Sequence, residues 1–159
     1  MKKMNDADLL RNLINAVQKE GQKKYAEFLA PLGITPNQSE VLQVLSKKEP
    51  LSLKELGNLL ICESKSPSRL VQRLVQNGFI YKSKAIDDNR KSVLHLTSKG
   101  RELIPSIKEK ENLFNAYNLS SLSDTIDIKT FISVLRYQIT GTESEQKIEK
   151  RMKIDSSLT

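Results

Sequence analysis

With 159 residues, a formal net charge of +7, one cysteine and one histidine, the chain is long enough for one compact domain, with or without a helical extension. It excludes both an internal disulfide and a thiolate–imidazole zinc site, and neither a metal nor a cofactor is expected. No apolar run approaches the ~20 residues of a membrane span, and Met1-Lys2-Lys3 leads into polar Asn5-Asp6 rather than a signal-peptide core, so a cytoplasmic location without a membrane partner is expected. The surplus of Lys and Arg suits a polyanion, and the scarcity of aromatic residues favours the groove of a duplex over base stacking on a single strand.

From Asp6 to Ala30, Leu9, Leu10, Leu13, Ile14, Val17, Tyr25, Phe28 and Leu29 recur at helical spacing among charged and amide residues. This predicts a long amphipathic helix, ended by Pro31-Leu32-Gly33. An apolar face that broad needs a partner beyond one small domain, and a second copy of the chain is an economical candidate. Thr35 as N-cap, Pro36 at the first helical position and Gln38 reaching back predict a second helix, with Val41, Leu42, Val44 and Leu45 inward. Leu51 is placed for a short strand. Ser52 and Glu55 form a capping box, so a third helix starts at Leu53 with Leu56, Leu59 and Leu60 as its stripe. After a three- or four-residue corner at Ile61-Cys62-Glu63, Ser64 is read as the next N-cap, with Pro67 in the first turn. In this fourth helix Leu70, Val71, Leu74 and Val75 share the packing face. Lys65, Ser66, Ser68, Arg69, Gln72 and Arg73 take the others, with no acidic residue among them. Asn77-Gly78 ends it in a left-handed cap with Phe79 as the apolar contact. Two short helices, the second armed with Arg, Lys, Gln and Ser, describe a helix-turn-helix.

The segment after Gly78 strengthens that reading. Phe79 to Lys84 is extended, and Ser92 to Thr97 alternates, with Val93 and His95 on one face and Leu94 and Leu96 on the other. Between them Ala85-Ile86-Asp87-Asp88-Asn89-Arg90-Lys91 forms a charged tip: a hairpin wing whose cations reach phosphates or the minor groove, with Asp88 expected to orient the Arg90 guanidinium. Thr97 or Ser98 caps a helix to about Tyr117, bent at Pro105. Ser123 is read as the cap of a last helix carrying Ile128, Phe131, Ile132, Leu135 and Ile139, ended by Gly141. Residues 142–159 read as a charged tail, disordered or helical where packed.

Together, Leu56-Gly57-Asn58-Leu59-Leu60, Ser66 through Leu74, Asn77-Gly78-Phe79-Ile80 and Asp88-Asn89-Arg90 through Leu96-Thr97-Ser98-Lys99-Gly100 resemble the MarR family of bacterial winged helix-turn-helix regulators. The resemblance covers about residues 6 to 140. It implies a mainly α fold with a small β-hairpin wing: an N-terminal dimerisation helix (residues 1–33), a winged helix-turn-helix lobe (34–97) and C-terminal dimerisation helices (98–141). It further implies a homodimer built on Leu10, Leu13, Ile14, Val17, Phe114, Phe131 and Leu135. That dimer would bind a palindromic double-stranded operator through Lys65, Ser66, Ser68, Arg69, Gln72, Arg73, Asp88, Arg90 and Lys91. Family members usually repress transcription and leave DNA when a small lipophilic or phenolic effector binds, or when a cysteine is oxidised. Pro67 stands where a β-branched residue is more usual. The first helix lacks the cysteine of peroxide sensors, and Cys62 sits at the corner instead, as a buried packing residue or as a thiol activated by Lys65 and the helix N-terminus.

An enzyme is not expected, since one histidine and one cysteine support no nucleophilic triad and no phosphate-cradling loop stands out. A winged helix used only for protein contacts stays open as an alternative, because fold does not fix function.

Overall fold

The computed structural model describes residues 5–62, 66–122, 124 and 126–156. Helix α1 spans Asp6–Leu29, capped by the Asn5 side chain, which accepts the Asp8 N–H at 2.8 Å. A 3₁₀ turn at Ala30–Leu32 and Gly33 at φ 68° reverse the chain. Helix α2, Pro36–Lys47, starts with the expected reciprocal box between Thr35 and Gln38. The strand β1, Leu51–Ser52, runs straight into α3, Leu53–Gly57, through the Ser52–Glu55 box. Helix α4 spans Pro67–Gln76, and strands β2, Ile80–Lys84, and β3, Ser92–Leu96, follow it. The remaining helices are α5, Ser98–Ser120, α6, Ile128–Gln138, and α7, Glu143–Ser156.

The sheet is antiparallel in the order β1-β3-β2, pairing Leu51 with Leu94 and Ile80 with Leu96. This register puts Leu51, Ile80, Leu94 and Leu96 on the buried face, as the alternation of β3 requires. One core joins them to Val41, Leu42 and Leu45 of α2, Leu56 of α3, Val71 and Leu74 of α4, and one fully buried residue each from α1 and α5, Leu29 and Ile107. Tyr25 and Phe28 of α1 clasp Phe114 of α5, with Tyr25 stacked at 4.7 Å and Phe28 edge-on at 5.9 Å. Helix α5 continues through Pro105.

Several boundaries differ from expectation for local reasons. The cap of α4 is Ser66, because Pro67 best occupies the first helical position and so the preceding residue must cap. Ser64 and Lys65 lie outside the described residues, and the connection from α3 to α4 is longer than three or four residues. Ser123 also lies outside them. Asp127 caps α6, accepting the N–H of Thr130 at 2.9 Å and its hydroxyl at 2.6 Å. The charged tail is helical as α7, held by Lys47 to Asp155 at 2.5 Å, by Arg136 to Glu149 and by Ile154 against the core. Its few apolar side chains hid that docking, which is largely ionic.

Candidate nucleic-acid interface

The fourth helix is built to pack on one side and reach outward on the other. Val71 and Leu74 are buried, whereas Ser68, Arg69, Gln72 and Arg73 are exposed. Ser66 is half-buried and committed to the cap, its hydroxyl accepting the Arg69 N–H at 3.4 Å and lying 3.1 Å from the Ser68 hydroxyl. The helix closes in a Schellman motif: Phe79 N–H donates to Leu74 C=O and Gly78 N–H to Val75 C=O, both at 3.0 Å. Gly78 supplies the left-handed φ of 73°, and Phe79 is buried as the apolar contact.

The Leu96-Thr97-x-x-Gly100 signature has a mechanical explanation in this arrangement. Thr97 donates its hydroxyl to Gly78 C=O at 2.6 Å and accepts the Gly100 N–H at 3.0 Å, while its own N–H reaches Phe79 C=O. A side chain at Gly100 would place its Cβ 2.1 Å from the Phe79 carbonyl oxygen. Lys99 adds a bond to Asn77 C=O at 2.8 Å and lies over the Phe79 ring. The end of the wing is thus fastened to the end of α4. From the other side Glu49, between α2 and β1, ties the wing to α5, its carboxylate accepting the Leu96 N–H at 2.7 Å and pairing with Arg101.

At the wing tip Asp88 acts on the backbone of Arg90 rather than on its guanidinium. The carboxylate accepts the Arg90 N–H at 2.9 Å, and Lys91 N–H closes the turn on Asp88 C=O. The reason is reach: two residues apart in a tight turn, the main-chain donor is the nearer one. Arg90 and Lys91 are exposed, and Ile86 is fully so. Between α3 and the wing runs a groove of about 880 Å³ whose lining includes Lys54, Lys84 and Lys91. Lys54 and Lys84 were not singled out from sequence, since isolated lysines on short elements give no pattern. In the wall of the same groove His95 stacks on Tyr81 at 4.9 Å and meets the Ser83 hydroxyl at 2.9 Å.

The corner before α4 is held by Glu40, whose carboxylate accepts the N–H groups of Ile61 at 2.7 Å and Cys62 at 2.9 Å. Burial, followed by the Glu40 carboxylate beside it, pushes the Cys62 thiol up from 9.0 to about 12. That direction is opposite to the lowering expected from Lys65, which lies outside the described residues. Sequence reasoning missed Glu40, because one acidic residue beside an inward stripe resembles an ordinary solvated position.

The proposed dimer residues divide. Leu10, Leu13, Ile14 and Val17 of α1 are exposed, Val17 at 70%, as are Phe131 and Leu135 of α6, at 42% each. Phe114 is half-buried in its intrachain clasp.

The model of the transcriptional regulator family SarA/Rot matches residues 23–107, from the middle of α1 through the winged lobe into α5. The chain belongs to the SarA/Rot family. Among its relatives, the SarZ regulator of Staphylococcus saprophyticus is 28% identical over 112 residues, which cover 70% of this chain and 76% of SarZ. The fold of this SarA/Rot member is that of the MarR-type winged-helix regulators. A MarR-like transcription regulator of Bacillus cereus superposes with a TM-score of 0.74 at 24% identity, covering 86% of this chain and 97% of the other. A mutant of Escherichia coli MarR complexed with operator DNA superposes with a TM-score of 0.76 at 21% identity, covering 87% and 99%. These SarA/Rot and MarR relatives are transcriptional regulators, not enzymes. Among the described residues no helix is long and apolar enough to cross a membrane.

Proposed function

We propose that this regulator binds double-stranded DNA sequence-specifically as a homodimer, with α4 in the major groove and the wing against phosphates or the adjacent minor groove. The observation that carries the reading is the exposed set Ser68, Arg69, Gln72 and Arg73 on a helix anchored by Val71 and Leu74, its end fastened to a wing tipped by Arg90 and Lys91. Ser66, tied up in the cap, contributes through its position more than through a base contact. The operator complex of E. coli MarR supports the docking through its shared fold. The bare apolar faces of α1 and α6 support pairing, since faces of this kind on a small protein mark an interface. Operator half-sites then lie roughly one helical turn apart, ~34–36 Å.

The regulator acts as a repressor released by a small phenolic or otherwise lipophilic ligand. In support, a mainly apolar groove of about 700 Å³ opens between α1 and α5 and reaches the start of α6, with Val17, Tyr25, Phe114, Tyr117, Leu119 and Ile128 in its wall. A ligand that fits only one lobe orientation shifts the population away from the DNA-binding one. Binding measured by anisotropy tests the interface. Arg69→Ala or Arg73→Ala is expected to lose about 1–3 kcal/mol with relaxed sequence preference. Arg90→Ala is expected to weaken all duplexes alike and flatten the salt dependence. Unchanged affinity in all three removes the reading.

A further inference from the structure

We propose that α7 braces the corner of the helix-turn-helix, and that Arg151 and Glu40 are positioning residues for sequence reading by α4. The inference rests on the DNA-binding reading above. After Leu60, whose N–H still donates to Leu56 C=O at 3.1 Å, the backbone leaves the α3 ladder. The next two N–H groups, of Ile61 and Cys62, have no helical acceptor, and Glu40 takes them, one on each carboxylate oxygen. That carboxylate is only 15% exposed and needs a countercharge. Arg151 supplies it, its Nη1 lying 2.8 Å from Glu40 Oε1 and 3.4 Å from the Leu59 carbonyl. The guanidinium is itself only 16% exposed.

The approach of Arg151 is set by its neighbours on α7: Glu149 pairs with Arg136, Ile154 packs on the core and Asp155 pairs with Lys47. The corner is therefore held by Glu40 of α2, and Glu40 in turn by α7. The next described residue, Ser66, already caps α4, so among the described residues Ile61 and Cys62 are the last pinned backbone before the first turn of that helix. Removing Arg151 leaves a nearly buried carboxylate without its cation, and the cheapest relief is for Glu40 to turn to water and release both N–H groups.

Full-length Arg151→Ala, Arg151→Lys and Glu40→Gln proteins test this with two readouts. The first is amide hydrogen exchange at Ile61 and Cys62 in the free protein, which needs no DNA. The second is affinity for a footprinted inverted repeat against a random duplex at the same salt. In Arg151→Ala, exchange at the two amides is expected to rise roughly tenfold or more and inverted-repeat affinity to fall about tenfold, with random-duplex affinity nearly unchanged. Glu40→Gln is expected to behave alike, and Arg151→Lys to recover most of both losses. Unchanged exchange in Arg151→Ala, or equal losses on both duplexes with a lowered melting temperature, would overturn the proposal. The latter result marks an ordinary stabilising ion pair. If the wild type shows no preference for any inverted repeat, the DNA reading fails and takes the positioning role with it, while faster exchange in Arg151→Ala still establishes the brace.

Discussion

Gly100 shows how a family signature becomes geometry. Its missing Cβ lets α5 start against the Phe79 carbonyl, so that one threonine caps α5 and ties down α4 together. Gly100→Ala has no room without a backbone shift, and a loss of about 3 kcal/mol is expected from urea unfolding. A loss below about 0.5 kcal/mol, within the range of ordinary surface substitutions, would show that the approach is not tight. At the corner, Cys62 makes a different claim. With its thiol raised from 9.0 to about 12, the folded protein keeps the proton where the unfolded chain gives it up. Its contribution to stability is therefore complete below pH 9.0 and is lost progressively up to about pH 12. At pH 8 iodoacetamide is expected to alkylate Cys62 in the native protein roughly tenfold or more slowly than in denaturant. Equal rates would restore the thiol as a sensing candidate.

At the scale of elements, the capping chemistry decided what could be read in advance. The boxes at Thr35–Gln38 and Ser52–Glu55, the Gly78 reversal and the alternation of β3 are local, and each stands in the structure as its residues dictate. The start of α4 is ambiguous in sequence because Ser64 and Ser66 both cap well in isolation, and Pro67 at the first helical position favours Ser66. Ser66→Ala is therefore expected to cost about 1 kcal/mol in thermal or urea melts, with the start of α4 exchanging faster. No change in either would mean that Ser66 is not the cap. Nonlocal features left no trace in the pattern. The docking of α7 depends on Glu40, Lys47 and Arg136, which meet Arg151, Asp155 and Glu149 only after folding. Likewise Phe114 reads as a bare apolar position until α1 lies beside it. The candidate interface was legible where it lies on one helix face, as with Arg69, Gln72 and Arg73. It was not legible where the tertiary fold gathers isolated lysines, as with Lys54 and Lys84.

Across the whole molecule, the winged lobe has a finished core while the helices flanking it do not. Leu10, Leu13 and Val17 on α1, with Phe131 and Leu135 on α6, remain in water in the single chain. In the proposed dimer these faces meet a second copy, and two cationic α4 helices lie on one side of a duplex. The measurement that tests this most directly is equilibrium binding, by anisotropy with stoichiometry from analytical ultracentrifugation. The full-length protein is compared on a footprinted inverted repeat and on a random duplex at ~0.15 M salt. One dimer per repeat is expected, bound on the order of 1,000-fold more tightly than random DNA. A monomeric complex, or equal affinity for both duplexes, would contradict it.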